Sequence, residues 1–97
     1  MSNTCYEFEH AVGAVLDYGF DWKKKGWLET GEVITSSVWT ANSPDIILGT
    51  EFNEVGITTV VVSGAVLGKI YRITNSIETN HNGRKDKRTL VISCKSR

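Results

Sequence analysis

The sequence predicts an all-β protein, an antiparallel sandwich of six to seven short strands. Apolar residues recur with a period of two along most of the chain, and helical spacing is nearly absent. Turn residues interrupt this alternation about every ten positions, the spacing of a sandwich rather than of a helical repeat. The chain has 97 residues, which allows one core and hides roughly 60–65% of the surface its unfolded form would expose. No segment is long enough for a crossover helix, so the strands are expected to pair antiparallel.

The elements follow in order. Residues 1–13, containing YEFEHAVGA, form either an N-terminal arm or an edge strand, and the sandwich domain spans 14–97. Leu16, Tyr18, Phe20 and Trp22 share one face, with Asp17, Gly19 and Asp21 on the other, as in a half-buried strand. KKKGWLETGE reads as a loop in which Trp27-Leu28 folds back over one end of the core. A second strand runs from Glu32 to Thr40, and Asn42-Ser43-Pro44-Asp45 turns the chain, Pro setting the backbone while Asn and Asp supply local hydrogen bonds. A short third strand covers Asp45 to Leu48 and stops at Gly49, and Asn53 to Gly56 is a turn. Ile57 to Ser63, ITTVVVS, is the purest β segment, and its continuous apolar run suggests burial on both faces. After Gly64 and Gly68, alternation returns from Lys69 to Glu78, with Tyr71, Ile73 and Ile77 inward. Asn75 shares that inward face and needs a partner or a place at the rim. The last strand, Lys87 to Lys95, turns Leu90, Ile92 and Cys94 inward.

Charge excludes some partners. Eleven basic and eleven acidic side chains give a net charge of zero, so no long-range field recommends nucleic acid or an anionic membrane. The N-terminus lacks the signal-peptide pattern, and no apolar run approaches the ~20 residues of a membrane span; a cytoplasmic chain is expected. Cys5 and Cys94 lie near opposite termini. A disulfide between them is conceivable, but a reducing compartment favours free thiols, with Cys94 in the core and Cys5 in a loose terminus.

Reactive constellations are missing. His10 and His81 are expected to be exposed bystanders, and Asp17 and Asp21 to stand about 13 Å apart along a strand, too far for a glycosidase pair. There is no GxSxG elbow, phosphate loop, DxDxDG loop or Cys/His cluster. Neither catalysis nor a cofactor or metal is expected. Trp22, Trp27 and Trp39 could form a sugar-stacking platform, but Trp22 and Trp39 fall on core-facing positions. An alternative function, a carbohydrate-binding module, therefore rests on Trp27 and neighbouring aromatics.

The remaining feature is the hairpin Thr79–Arg88. Asn82-Gly83 supplies the positive φ pair of a tight turn, and Arg84, Lys85, Lys87 and Arg88 make its second arm basic. Asn82, Gly83, Arg84, Lys85, Lys87 and Arg88 are the candidate partner-binding residues, as a finger docking on an acidic surface. The competing reading is that the charges only keep an exposed hairpin from edge-to-edge aggregation.

The order of these motifs resembles a family of small immunoglobulin-like proteins of tailed bacteriophages. Asp21-Trp22, Trp27-Leu28, Gly31-Glu32, Ile34 and Ser36 meet the family's first pattern. Its second is met by Ser63-Gly64, Gly68, Tyr71, Thr74-Asn75, Ile77, Thr79, Gly83-Arg84, Leu90 and Ile92. The similarity covers about residues 14 to 93. It implies an immunoglobulin-like sandwich and a virion protein that connects the tail to its fibers, with other tail, fiber or connector proteins as partners and homo-oligomers in the particle. Tyr71 resembles the tyrosine of an immunoglobulin corner, with Ile73 at the position of a disulfide cysteine. The short third strand has no tryptophan, unlike antibody domains, and no inter-sheet disulfide is available.

Overall fold

The computed structural model describes residues 5–23 and 28–95, residues 5–7 by their backbone alone. Seven strands are present among them: β1 Cys5–Ala11, β2 Leu16–Asp21, β3 Ile34–Ala41, β4 Ile47–Glu54, β5 Ile57–Ser63, β6 Ile70–Thr79 and β7 Lys85–Lys95. They form two facing sheets, one ordered β1-β7-β6-β3 and the other β2-β5-β4. This is an immunoglobulin-like sandwich in which the first strand lies beside the last.

Four pairings are antiparallel, but β1 runs parallel to β7, with Cys5 opposite Thr89 and Ala11 opposite Lys95. The wholly antiparallel expectation fails because residues 12–15 carry the chain from one sheet to the other. β1 is thus freed from a hairpin with β2. The register also separates the cysteines: Cys94 lies opposite His10, five positions beyond Thr89. At about 3.3 Å per residue that is roughly 16 Å, well beyond the ~7 Å that a disulfide spans between Cα atoms. Cys94 is a buried free thiol.

The core is built from the inward positions of both sheets, including Phe20, Trp22, Trp39, Val60, Val62, Tyr71, Ile73, Leu90 and Ile92. Leu16, expected inward, sits at the open end of β2 and is exposed. Phe20 of β2 stacks on Trp39 of β3, the centroids 5.7 Å apart and the rings 7° from parallel. The short strand expected at Asp45 to Leu48 lies in β4 and has no tryptophan, while β3, third in chain order once β1 is counted, carries the buried Trp39. In β5 only Thr58, Val60 and Val62 are fully buried; Thr59 and Val61 are half-buried and Ile57 is exposed. Two-sided burial is therefore overturned: the valine run expresses β propensity, since only one face of this sheet meets the core.

β4 does not stop at Gly49. It passes through a bulge between Leu48 and Glu51 and continues to Glu54; a glycine inside a strand often marks such an irregularity. The turn to β5 is then Val55-Gly56, both in the left-handed region, at φ 51° and 77°.

Two polar arrangements lock the sandwich. Asn75 is fully buried and satisfied: its Oδ1 accepts from Thr58 Oγ1 at 2.6 Å and from Trp22 Nε1 at 3.1 Å. Its Nδ2 donates to Ser37 Oγ at 2.9 Å. Tyr71 Oη accepts from the Val66 N–H at 3.0 Å and donates to Asp45 Oδ2 at 2.9 Å, the tyrosine-corner geometry. Burial raises the Tyr71 pKa, and the Asp45 charge raises it further. The same hydrogen bond, with one from Lys69, lowers the pKa of Asp45.

Candidate functional site

The alternation that builds β7 also sorts its basic residues. Leu90, Ile92 and Cys94 face the core, so Arg88 shares their parity while Lys85 and Lys87 point away from it. Before them, residues 80–84 connect β6 to β7 through Asn82 and Gly83 at φ 59° and 65°. The Thr79 N–H donates to the Arg84 carbonyl at 2.9 Å, closing the turn.

This hairpin is not a free-standing finger. Asn80 is tied to Val33 in both directions: its N–H donates to the Val33 carbonyl at 3.1 Å, and its Oδ1 accepts from the Val33 N–H at 3.0 Å. Arg84 Nε lies 3.1 Å from Glu32 Oε2, an ion pair not aligned as a hydrogen bond. Glu32 is buried, and it accepts from the Thr79 hydroxyl at Oε2 and from the Glu29 N–H at Oε1, 2.8 Å away. Burial pushes the Glu32 carboxyl up, but the Glu29 N–H, the Thr79 hydroxyl and the Arg84 charge together hold it below its ordinary value. The Arg88 guanidinium lies 4.1 Å from the centroid of the Trp22 ring and donates to the Asp21 carbonyl at 3.4 Å.

The six candidate residues therefore separate. Arg84 and Arg88 are half-buried and hold the fold together, whereas Asn82, Gly83, Lys85 and Lys87 are exposed. Lys85 stands in a cross-strand row with Glu78 and Ser36, and Lys87 in the next row with Ser76 and Val38. These rows line a shallow groove of about 500 Å³, with Ile77 and Asp86 completing it. Neither lysine ammonium has an ion-pair partner among the described residues.

Two other expectations change. His10 is fully buried, not a bystander; its ring is hydrogen-bonded to Tyr18 Oη at 2.7 Å and the Ala14 carbonyl at 3.1 Å. Its position opposite Cys94 explains this, since both residues face inward. His81 is exposed in the turn. Trp22 and Trp39 are buried and offer no stacking face to a sugar. Trp27 lies outside the described residues, while Leu28 beside it packs against the core.

Comparison with known families adds what the geometry alone does not give. The family model of the podophage GP4 fiber-tail adaptor protein gp77 matches residues 11–93, from the last residue of β1 nearly to the end of β7. The chain belongs to this fiber-tail adaptor family. The adaptor is thus a structural component of the phage virion, joining tail and fibers. No curated protein sequence matches it. Within the adaptor, the matched residues include Tyr71, Asn75 and Glu32, which hold the sandwich and its hairpin in shape.

Proposed function

We propose that the adaptor works by protein–protein contact alone, without catalysis, and that Lys85 and Lys87, with the Asn82-Gly83 tip beside them, form a docking surface for an acidic neighbour in the tail. The observation that carries this reading is the division of the hairpin's basic residues. Arg84 and Arg88 are engaged by Glu32 and Trp22, while the two lysines stand in solvent on one face of a rigid sheet. Assembly takes place in the host cytoplasm on this reading, and neither nucleic acid nor membrane is a partner.

The test is Lys85→Glu/Lys87→Glu in the phage itself, with mass-spectrometric counting of the chain in purified particles. Loss of the chain or of the fibers is expected. Particles with the normal copy number and full fiber occupancy would refute the docking role.

A further inference from the structure

Asn82-Gly83 carries a chemistry that the turn itself does not need. Asn82 is exposed, and neither its side-chain amide nor the Gly83 N–H has a hydrogen-bond partner among the described residues. The other described asparagines are held. Asn42 accepts from the Arg72 N–H at 3.0 Å, Asn53 donates to the Ile34 carbonyl at 3.1 Å, and Asn80 accepts from the Val33 N–H at 3.0 Å. Asn75 is fully buried in its cluster. None of these four precedes a glycine; the residues that follow them are Ser43, Glu54, His81 and Ser76.

An asparagine amide carbon is an electrophile, and the peptide nitrogen of the next residue can close a five-membered ring on it. A side chain on that next residue crowds the nitrogen, and glycine has none. The space around Gly83 is open: apart from its chain neighbours, the nearest atom to the place of a Cβ is Glu78 Oε2, 3.7 Å away. The hairpin is tied at its base by the Thr79 N–H to the Arg84 carbonyl at 2.9 Å. Within the turn, the Arg84 N–H closes over the reactive pair onto the His81 carbonyl at the longer distance of 3.2 Å. Opening that outer bond frees Asn82 to rotate while the base stays closed.

We infer that Asn82 deamidates spontaneously, and that the product disarms the hairpin tip for docking. The Gly83 nitrogen gives its proton to solvent and attacks Asn82 Cγ. A C–N bond forms, the Cγ–Nδ2 bond breaks, and the nitrogen leaves as ammonia with a proton from water. Water then opens the cyclic imide at either carbonyl. One product is aspartate; the other is isoaspartate, whose backbone runs through the side chain and is one bond longer. Both add a negative charge to a chain of net charge zero. The effect on docking rests on the role proposed above for Lys85 and Lys87, because a charge of the same sign as an acidic neighbour opposes their attraction to it.

Ageing the purified chain in mildly alkaline buffer tests the chemistry. Isoelectric focusing should show a new band, more acidic by one charge. Peptide mass spectrometry should find the amide-to-acid change at Asn82 at least about tenfold faster than at Asn42 and Asn53, a barrier difference of about 1.4 kcal/mol. Asn82→Gln, whose longer side chain has to close a six-membered ring, should keep its original band. Conversion at Asn82 no faster than at Asn42 and Asn53, or an equal charge shift in Asn82→Gln, overturns the inference.

The consequence is read in phage. Asn82→Asp carries the product charge from the start and should lower the count of the chain in purified particles, whereas Asn82→Gln should leave it unchanged. A normal count for Asn82→Asp beside a deficit for Lys85→Glu/Lys87→Glu would overturn the disarming while docking stands. Normal counts for both would remove the docking function itself, and with it the disarming, whatever the free chain does on ageing.

Discussion

Asn75 Oδ1 lies 2.6 Å from Thr58 Oγ1, and this contact joins the two sheets through the middle of the sandwich. Asn75 belongs to β6 and Thr58 to β5, while the Trp22 indole donates to both oxygens at 3.1 Å. In an immunoglobulin domain with an inter-sheet disulfide, a covalent bond spans the same gap. Here a buried hydrogen-bonded cluster does so: the Trp22 indole, the Thr58 hydroxyl and the Asn75 amide each donate to an acceptor.

Removing Asn75 should accordingly be severe. Asn75→Ala is expected to destabilise the fold by about 2–4 kcal/mol, combining a cavity with orphaned buried donors. Thr58→Val should lose about 1–2 kcal/mol, and the double substitution should differ from the sum by at least about 0.5 kcal/mol, because the side chains share one network. Urea denaturation of the four proteins measures all three quantities. An Asn75→Ala loss below about 0.5 kcal/mol would show that the cluster contributes nothing.

The basic residues of the hairpin should divide by role. Arg88→Ala removes the cation packed on Trp22 and is expected to lower stability by about 1–2 kcal/mol. Lys87→Ala, at an exposed position, should stay within about 0.5 kcal/mol of the parent. Thermal unfolding of the two variants side by side decides the matter, and equal losses would contradict the division.

Acid should loosen the hairpin end first. Glu32 is held below its ordinary value of 4.5 in the folded protein, because its gains from the Glu29 N–H, Thr79 and Arg84 outweigh the upward push of burial. A carboxyl depressed on folding contributes stability that is fully present above the unfolded value and is lost as pH falls through the folded one. Stability should therefore fall as pH drops below about 4.5. Glu32→Gln should be less stable at neutral pH and show a shallower acid decline. The decline should not vanish, since Asp45, depressed below 3.8 by Tyr71 and Lys69, remains. Denaturant midpoints from pH 7 to pH 3 test this, and parallel curves would refute it.

The β4–β5 turn holds a correctable strain. Val55 is β-branched and sits at φ 51° ahead of Gly56, a region that asparagine tolerates far better. Val55→Asn is expected to stabilise the protein by about 1 kcal/mol, raising Tm by roughly 4–8 °C in a domain of this size. An unchanged or lower Tm would mean that the valine is not strained.

Much of the sandwich was legible because alternation is a local signal. Tyr71, Ile73, Ile77, Leu90, Ile92 and Cys94 all face inward, as their spacing requires. Alternation also held information that composition obscured. Arg88 has the parity of Leu90, and Glu32 that of Ile34, so both were core-facing by position although charged. Their partners, Trp22 and Arg84, lie far away in sequence, and no local pattern specifies such pairs. His10 was hidden for a similar reason. Its burial depends on β1 lying against β7 rather than hanging free, and nothing within residues 1–13 dictates that neighbour. Gly49 was misread as a stop because a bulge and a strand end share the same residue preference.

The parallel pairing of β1 with β7 also governs the order of events during folding. β1 has its sheet partner in β7, about 84 residues further along the chain. Closing so long a loop is a late step in folding. Until then Glu9, His10 and Ala11 wait without their ladder, and the inward edge of β7 does not yet exist. A chain shortened to end before Thr89 would hold every strand of the β2-β5-β4 sheet but leave β1 without its partner in the other.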